Sequence, residues 1–177
     1  IDRKIGVNIM SIYLNPDNIS FQEALNSEIY IDKSCLIQYT NKVLKTKQKY
    51  ISVSRPRRFG KSMAADMLTA YYSRGCNSKD LFSKLKISTS DSFEKHLNQY
   101  NVIHINMQSY LTESENMQEL IQFIEEDLLY ELEQEFPDLR MPRRKTLVKV
   151  FEQAFVQFHV PFVFIIDEWD CIFRVHK

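Results

Sequence analysis

The sequence predicts an α/β fold, and three observations carry that prediction. Short β-branched or apolar runs at 50–54, 102–107 and 162–166 alternate with segments of helical periodicity. The run Phe162-Val163-Phe164-Ile165-Ile166 is apolar at every position, as in a strand covered on both faces within a parallel sheet. The chain has 177 residues, 44% hydrophobic and 26% charged, which suits one such domain or two small ones and excludes a disordered chain. Its longest apolar run is that same strand, far short of the roughly 20 residues a membrane helix needs.

Residues 1–19 read as an irregular lead-in. Ser20 with Glu23 forms a capping box before a short helix at 21–27. Residues 30–32 look extended, and Asp32 is placed to cap a second helix reaching about residue 47, with Leu36, Ile37, Val43 and Leu44 on its buried side. Tyr50-Ile51-Ser52-Val53-Ser54 is a strand candidate. The following Arg55-Pro56-Arg57-Arg58-Phe59-Gly60 cannot extend it, since proline lacks a ladder donor. Helix resumes over 61–74, where Ala64, Met67, Leu68 and Tyr71 share a face and Gly75 follows the end. Leu81, Phe82, Leu85 and Ile87 dock a turn before a short helix at 92–99. After the 102–107 strand, Thr112 and Glu115 propose another capping box for a long helix at 113–136 that Pro137 ends. A further amphipathic helix spans 145–158.

The zero net charge conceals a division. Residues 1–88 carry 15 Lys+Arg against 7 Asp+Glu, and residues 89–177 carry 8 against 16, so the halves stand at +8 and −8. A uniformly basic nucleic-acid binder is thereby disfavoured. The predicted 113–136 helix has nine acids and no Lys or Arg; pairing with Arg140, Arg143, Arg144 or Lys145 would offset its unfavourable C-terminal charge. Three cysteines, Cys35, Cys76 and Cys171, lie far apart without metal spacing, which points to a reducing cytoplasmic setting rather than a disulfide framework. The four histidines also share no ligand spacing.

Chemistry concentrates at Arg55 to Ser62, RPRRFGKS, between a strand candidate and a helix. Its Gly-Lys-Ser ending matches the close of GxxxxGK[ST], although Arg55 replaces the first glycine. Gly60 lets backbone approach a phosphate, and the N–H groups from Arg57, Arg58 and Phe59 through Ser62 and Met63 make an anion cradle at the helix start. Lys61 is suited to the β- and γ-phosphates and the Ser62 hydroxyl to Mg²⁺. The apolar strand then runs directly into Asp167-Glu168, at the end of the sheet where open α/β folds bind ligands. Asp167 would hold Mg²⁺ through its water shell, and Glu168 would orient or deprotonate an attacking water. Phosphate loop and acid pair together point to a bound Mg-nucleotide.

At these residues the sequence resembles the AAA-ATPase-like family of P-loop NTPases. Tyr30-Ile31-Asp32-Lys33-Ser34 is similar to the family's Y[VI]DK[ST] signature, and Arg55 to Ser62 matches its phosphate loop, the replaced first glycine included. Leu81-Phe82 with Leu85-Lys86-Ile87 resembles its LF…L.I segment, and Asp167-Glu168-Trp169-Asp170 its IDEYD motif, with Trp for Tyr. The resemblance implies an additional-strand P-loop core with Walker A and Walker B elements, ATP and Mg²⁺ as ligands, and hydrolysis catalysed by Lys61 and Glu168. In that topology a later strand lies between the phosphate-loop strand and the acid-bearing strand. The chain opens on Ile1 and ends nine residues after Glu168, so it reads as the N-terminal part of a longer protein, truncated after the Walker B strand. Residues 1–48 would be a lead-in with helices packed on the core, and 49–177 a partial core. Hydrolysis is expected of the full-length protein, whereas this part, lacking the later strand, is expected only to bind nucleotide.

Other readings stay open. Arg55, Arg57 and Arg58 could meet a nucleic-acid backbone in a nucleotide-gated binding module, or the loop could serve a small-molecule kinase. A nucleic-acid or protein client could engage the region beyond Lys177. Lys33 could touch the nucleotide, and Asp170 could order the metal's surroundings. Cys171 has no evident base and reads as a spectator thiol.

Overall fold

The structure is a computed structural model, and it describes residues 11–54, 56 and 58–173. The alternating run NVIHIN forms strand β1 (Asn101–Asn106), and the apolar run forms β2 (Phe162–Asp167). They pair in parallel, Val102 opposite Val163 and Asn106 opposite Asp167. A parallel pair needs a long crossover. Three helices supply it: α6 (Met107–Glu113), α7 (Met117–Glu135) and α8 (Leu147–Phe158). Before the sheet come α1 (Ile19–Leu25), α2 (Cys35–Val43), α3 (Lys61–Tyr72) and α4 (Lys79–Phe82). A 3₁₀ turn at Lys86–Thr89 and α5 (Phe93–His96) lead into β1.

Strand side chains alternate between faces, and here the alternation separates two cores. Val102 joins Phe21, Ile37, Met67, Tyr71 and Phe82 from the first helices. Ile103 and Ile105 join Tyr110, Leu120, Leu132 and Val150 from the crossover helices. The sheet thus has a helical layer on each face, the α/β arrangement the sequence predicts.

The two sheet edges differ. Leu14 bridges antiparallel to Ile103, with Asn15 N–H donating to Val102 O at 2.7 Å and His104 N–H to Tyr13 O at 2.9 Å. The edge of β2 away from β1 has no strand partner among the described residues. The strand predicted at 50–54 does not form. Those residues lack regular structure and are exposed, because backbone becomes a strand only when a neighbour satisfies its N–H and C=O groups.

Helix starts also differ from the sequence expectations. Helix α1 begins at Ile19, whose N–H donates to Asp17 Oδ1 at 3.0 Å, so Ser20 lies inside it. The predicted 113–136 helix is two helices. Thr112 donates backward to Gln108 O at 2.8 Å, and Asn116 caps α7 by accepting from the N–H groups of Gln118 and Glu119. Helix α2 stops at Val43, and the 92–99 segment keeps helix only over Phe93–His96. Of the basic residues expected to meet the acidic end of α7, Lys145 pairs with Glu133 at 3.3 Å; Arg74, which was not among those expected, meets Glu135 at 3.4 Å.

Candidate functional site

The basic loop enters α3 through two left-handed residues, Arg58 (φ 68°) and Gly60 (φ 69°). Glycine takes this conformation without steric cost, which is what Gly60 contributes as the residue preceding the helix. Gly60 O accepts the first helical bond from Ala64 N–H at 3.2 Å. The N–H groups of Lys61, Ser62 and Met63 then lie in the first turn of α3, at the positive end of the helix dipole.

The other wall comes from β2. Asp167 ends the strand and is buried; its Oδ1 accepts from Glu168 N–H at 2.9 Å. Glu168 is itself left-handed, with φ 52°, an uncommon state for a residue with a Cβ. The bend turns the chain out of the sheet into a 3₁₀ turn, Trp169–Phe173, which Cys171 N–H anchors on Glu168 O at 3.0 Å. Cys171 is buried.

Between these walls lies a cleft of about 580 Å³. Leu36, Leu68, Val163 and Ile165 line its apolar part, and Ile51, Ser52 and Val53 line the cleft as well. Lys61, Asp167, Glu168 and Asp170 line its polar part. The fold therefore brings Lys61 and the acid pair, more than a hundred positions apart in sequence, onto one cavity. Ser62, Phe59 and Arg58 are exposed and Met63 is half-buried, and none of the four lines the cleft. Arg57, expected in the anion cradle, lies outside the described residues, as does Arg55.

Lys33, singled out in the sequence for nucleotide contact, finds a different partner in three dimensions, and two further residues, Asp66 and His104, gain significance only there. Lys33 Nζ donates to Phe59 O at 2.6 Å and to Gly60 O at 3.2 Å. Asp66 stands one helical turn beyond Ser62, a spacing that could have flagged it. Burial, then the charge of Asp167, pushes its carboxyl up to about 6. His104 on β1 is held below the usual imidazole value by burial, although Asp167 opposes that shift. Asp66 and His104 line a separate cavity of about 300 Å³. Asp32, expected to cap α2, instead accepts from Ser34 N–H at 2.8 Å and from Lys86 N–H at 2.8 Å.

A parallel sheet with helices on both faces, a left-handed glycine preceding one helix and carboxylates ending one strand, defines an α/β protein. The family model described as predicted AAA-ATPase matches residues 19–175, and the chain belongs to this AAA-ATPase-like family. No curated protein and no solved structure matches it. Among the described residues no helix is long and apolar enough to cross a membrane, and no three His, Cys, Asp or Glu residues are grouped to hold a metal ion.

Proposed function

We propose that this chain is the ATP-binding part of a P-loop ATPase of the additional-strand type, with residues 49–177 forming its partial core and 1–48 packing against it. The observation that carries the reading is the convergence of Lys61, Asp167 and Glu168 on one cleft. Its volume falls in the usual range of roughly 300–1,000 Å³ for small-molecule sites.

Each residue has a defined task. The N–H groups at the start of α3 would donate to phosphate oxygens, and Lys61 would place its ammonium on the β- and γ-phosphates. Magnesium suits the donor set, because it needs only one or two protein oxygens and takes its remaining ligands from phosphates and water. Ser62 would offer its hydroxyl and Asp167 its carboxylate through water. When bound, the ion neutralises charge on the phosphate oxygens. Glu168 would accept a proton from the water that attacks the γ-phosphorus, as ADP leaves. The left-handed backbone at Glu168 supports this role, since strained residues persist where surrounding structure imposes them, commonly at functional sites.

Trp169, the single tryptophan, lines the same cleft and makes binding readable without a label. Titration with MgATP is expected to change its emission, and Lys61→Ala to weaken the affinity at least tenfold with the melting temperature unchanged. Equal affinity in wild type and Lys61→Ala would overturn the reading.

A further inference from the structure

We infer that Lys33 is a positioning residue of the phosphate loop, and that Asp32 and Ser34 fasten it to the 3₁₀ turn at Lys86–Thr89. The ammonium of Lys33 lies on the carbonyl oxygens of Phe59 and Gly60, at 2.6 and 3.2 Å. A carbonyl and the N–H of the next residue belong to one planar unit, and in a trans peptide they point in opposite directions. Holding Phe59 O and Gly60 O on one side therefore directs the N–H groups of Gly60 and Lys61 to the other. A cation against two carbonyls makes the charge-assisted kind of hydrogen bond, stronger than a neutral one.

The lysine is itself anchored. One oxygen of Asp32 accepts from Ser34 N–H at 2.8 Å and the other from Lys86 N–H at 2.8 Å. The buried Ser34 Oγ accepts from Ile87 N–H at 3.1 Å. Partial burial opposes ionisation of Asp32, but the hydrogen bonds from Ser34 and Lys86 outweigh it and hold the carboxyl below its usual value. The segment 32–34 is thus fixed on both sides of Lys33 while the side chain reaches the loop. Gly60 completes the fit, because a Cβ there would collide with the Lys33 ammonium.

The effect on affinity rests on the phosphate-binding reading above, whereas the effect on the loop does not, so the test uses two readouts. Lys33→Met keeps the length of the side chain and removes its charge; Lys33→Arg restores donors. Amide NMR of the nucleotide-free chain reads Gly60 and Lys61 directly, and calorimetry reads MgATP affinity. Lys33→Met is expected to shift those two amide resonances, leave the melting temperature within about 2 °C, and weaken MgATP binding about tenfold, with Lys33→Arg recovering most of it.

Unchanged Gly60 and Lys61 amides in Lys33→Met would overturn the inference, whatever happens to affinity; weakened binding alone would make Lys33 a direct phosphate ligand. A large fall in melting temperature with amide changes throughout the chain would assign it an ordinary folding role and overturn it equally. If the wild type binds no MgATP, the functional reading fails, while the amide comparison still decides the role of Lys33.

Discussion

Asp66 and Ser62 project from the same face of α3, yet only one is exposed, and that difference has a pH signature. Burial and the neighbouring charge of Asp167 raise the Asp66 carboxyl from 3.8 to about 6. The folded chain then holds this proton more tightly than the unfolded chain. Stability contributed at Asp66 accordingly falls as pH rises from about 4 to about 6 and is level on either side. Solvent reaching the half-buried group limits the loss to on the order of 1 kcal/mol. Asp66→Asn is expected to flatten that window and to stabilise the protein at pH 7 by about the same amount. Melting temperatures of both forms across pH 3.5–7.5 check it; parallel profiles would contradict it. At Glu168 the expectation is kinetic. On the proposed function, Glu168→Gln should retain MgATP binding while turnover falls by roughly 10²-fold or more, as when a general base is removed. Comparing single-turnover rate with affinity separates the two.

Among the elements, α7 shows how an acidic helix earns its place. One face contributes Leu120, Leu128 and Leu132 to the core, and Glu131 is buried beside them. Its carboxylate accepts from the N–H groups of Ile12 (2.7 Å), Tyr13 (3.0 Å) and Leu14 (2.6 Å). That cluster sets the 12–15 segment against β1, where Leu14 and Asn15 complete the sheet edge. Glu131→Ala leaves three N–H groups without this acceptor and should destabilise the protein by about 2–3 kcal/mol, measured by urea denaturation. A change below about 0.5 kcal/mol, the size of an ordinary surface substitution, would show that water replaces the carboxylate. The capping box read at Thr112 and Glu115 fails for a related reason. Short polar side chains serve whichever backbone groups lie nearest. Here Thr112 serves the helix behind it, and Asn116 the helix ahead.

Over the whole molecule, the two helical layers share one two-stranded sheet, and β1 carries residues of both cores. Neither layer keeps its core without β1, so the layers should unfold in one transition. Hydrogen exchange is the direct measure. Amides of 102–105 should exchange only through global unfolding, and those of 51–54, exposed and outside any ladder, close to unfolded-chain rates. Strong protection at 51–54 would mean that another strand covers them in solution.

Much of this was legible in the chain itself. The helix read at 61–74, found over 61–72, and both strands follow from local patterns, because apolar periodicity operates between residues a few positions apart. The capping of α7 was not, since several polar residues competed for one helix start. Nor was the fate of 50–54, whose composition suits a strand but whose pairing depends on a neighbour. Packing alone decided that Lys33 reaches Phe59, 26 residues on, that Asp32 reaches Lys86, 54 residues on, and that Lys61 shares a cleft with Asp167 and Glu168. Contacts at such separations are made by the burial of whole layers, and no short stretch of sequence encodes them.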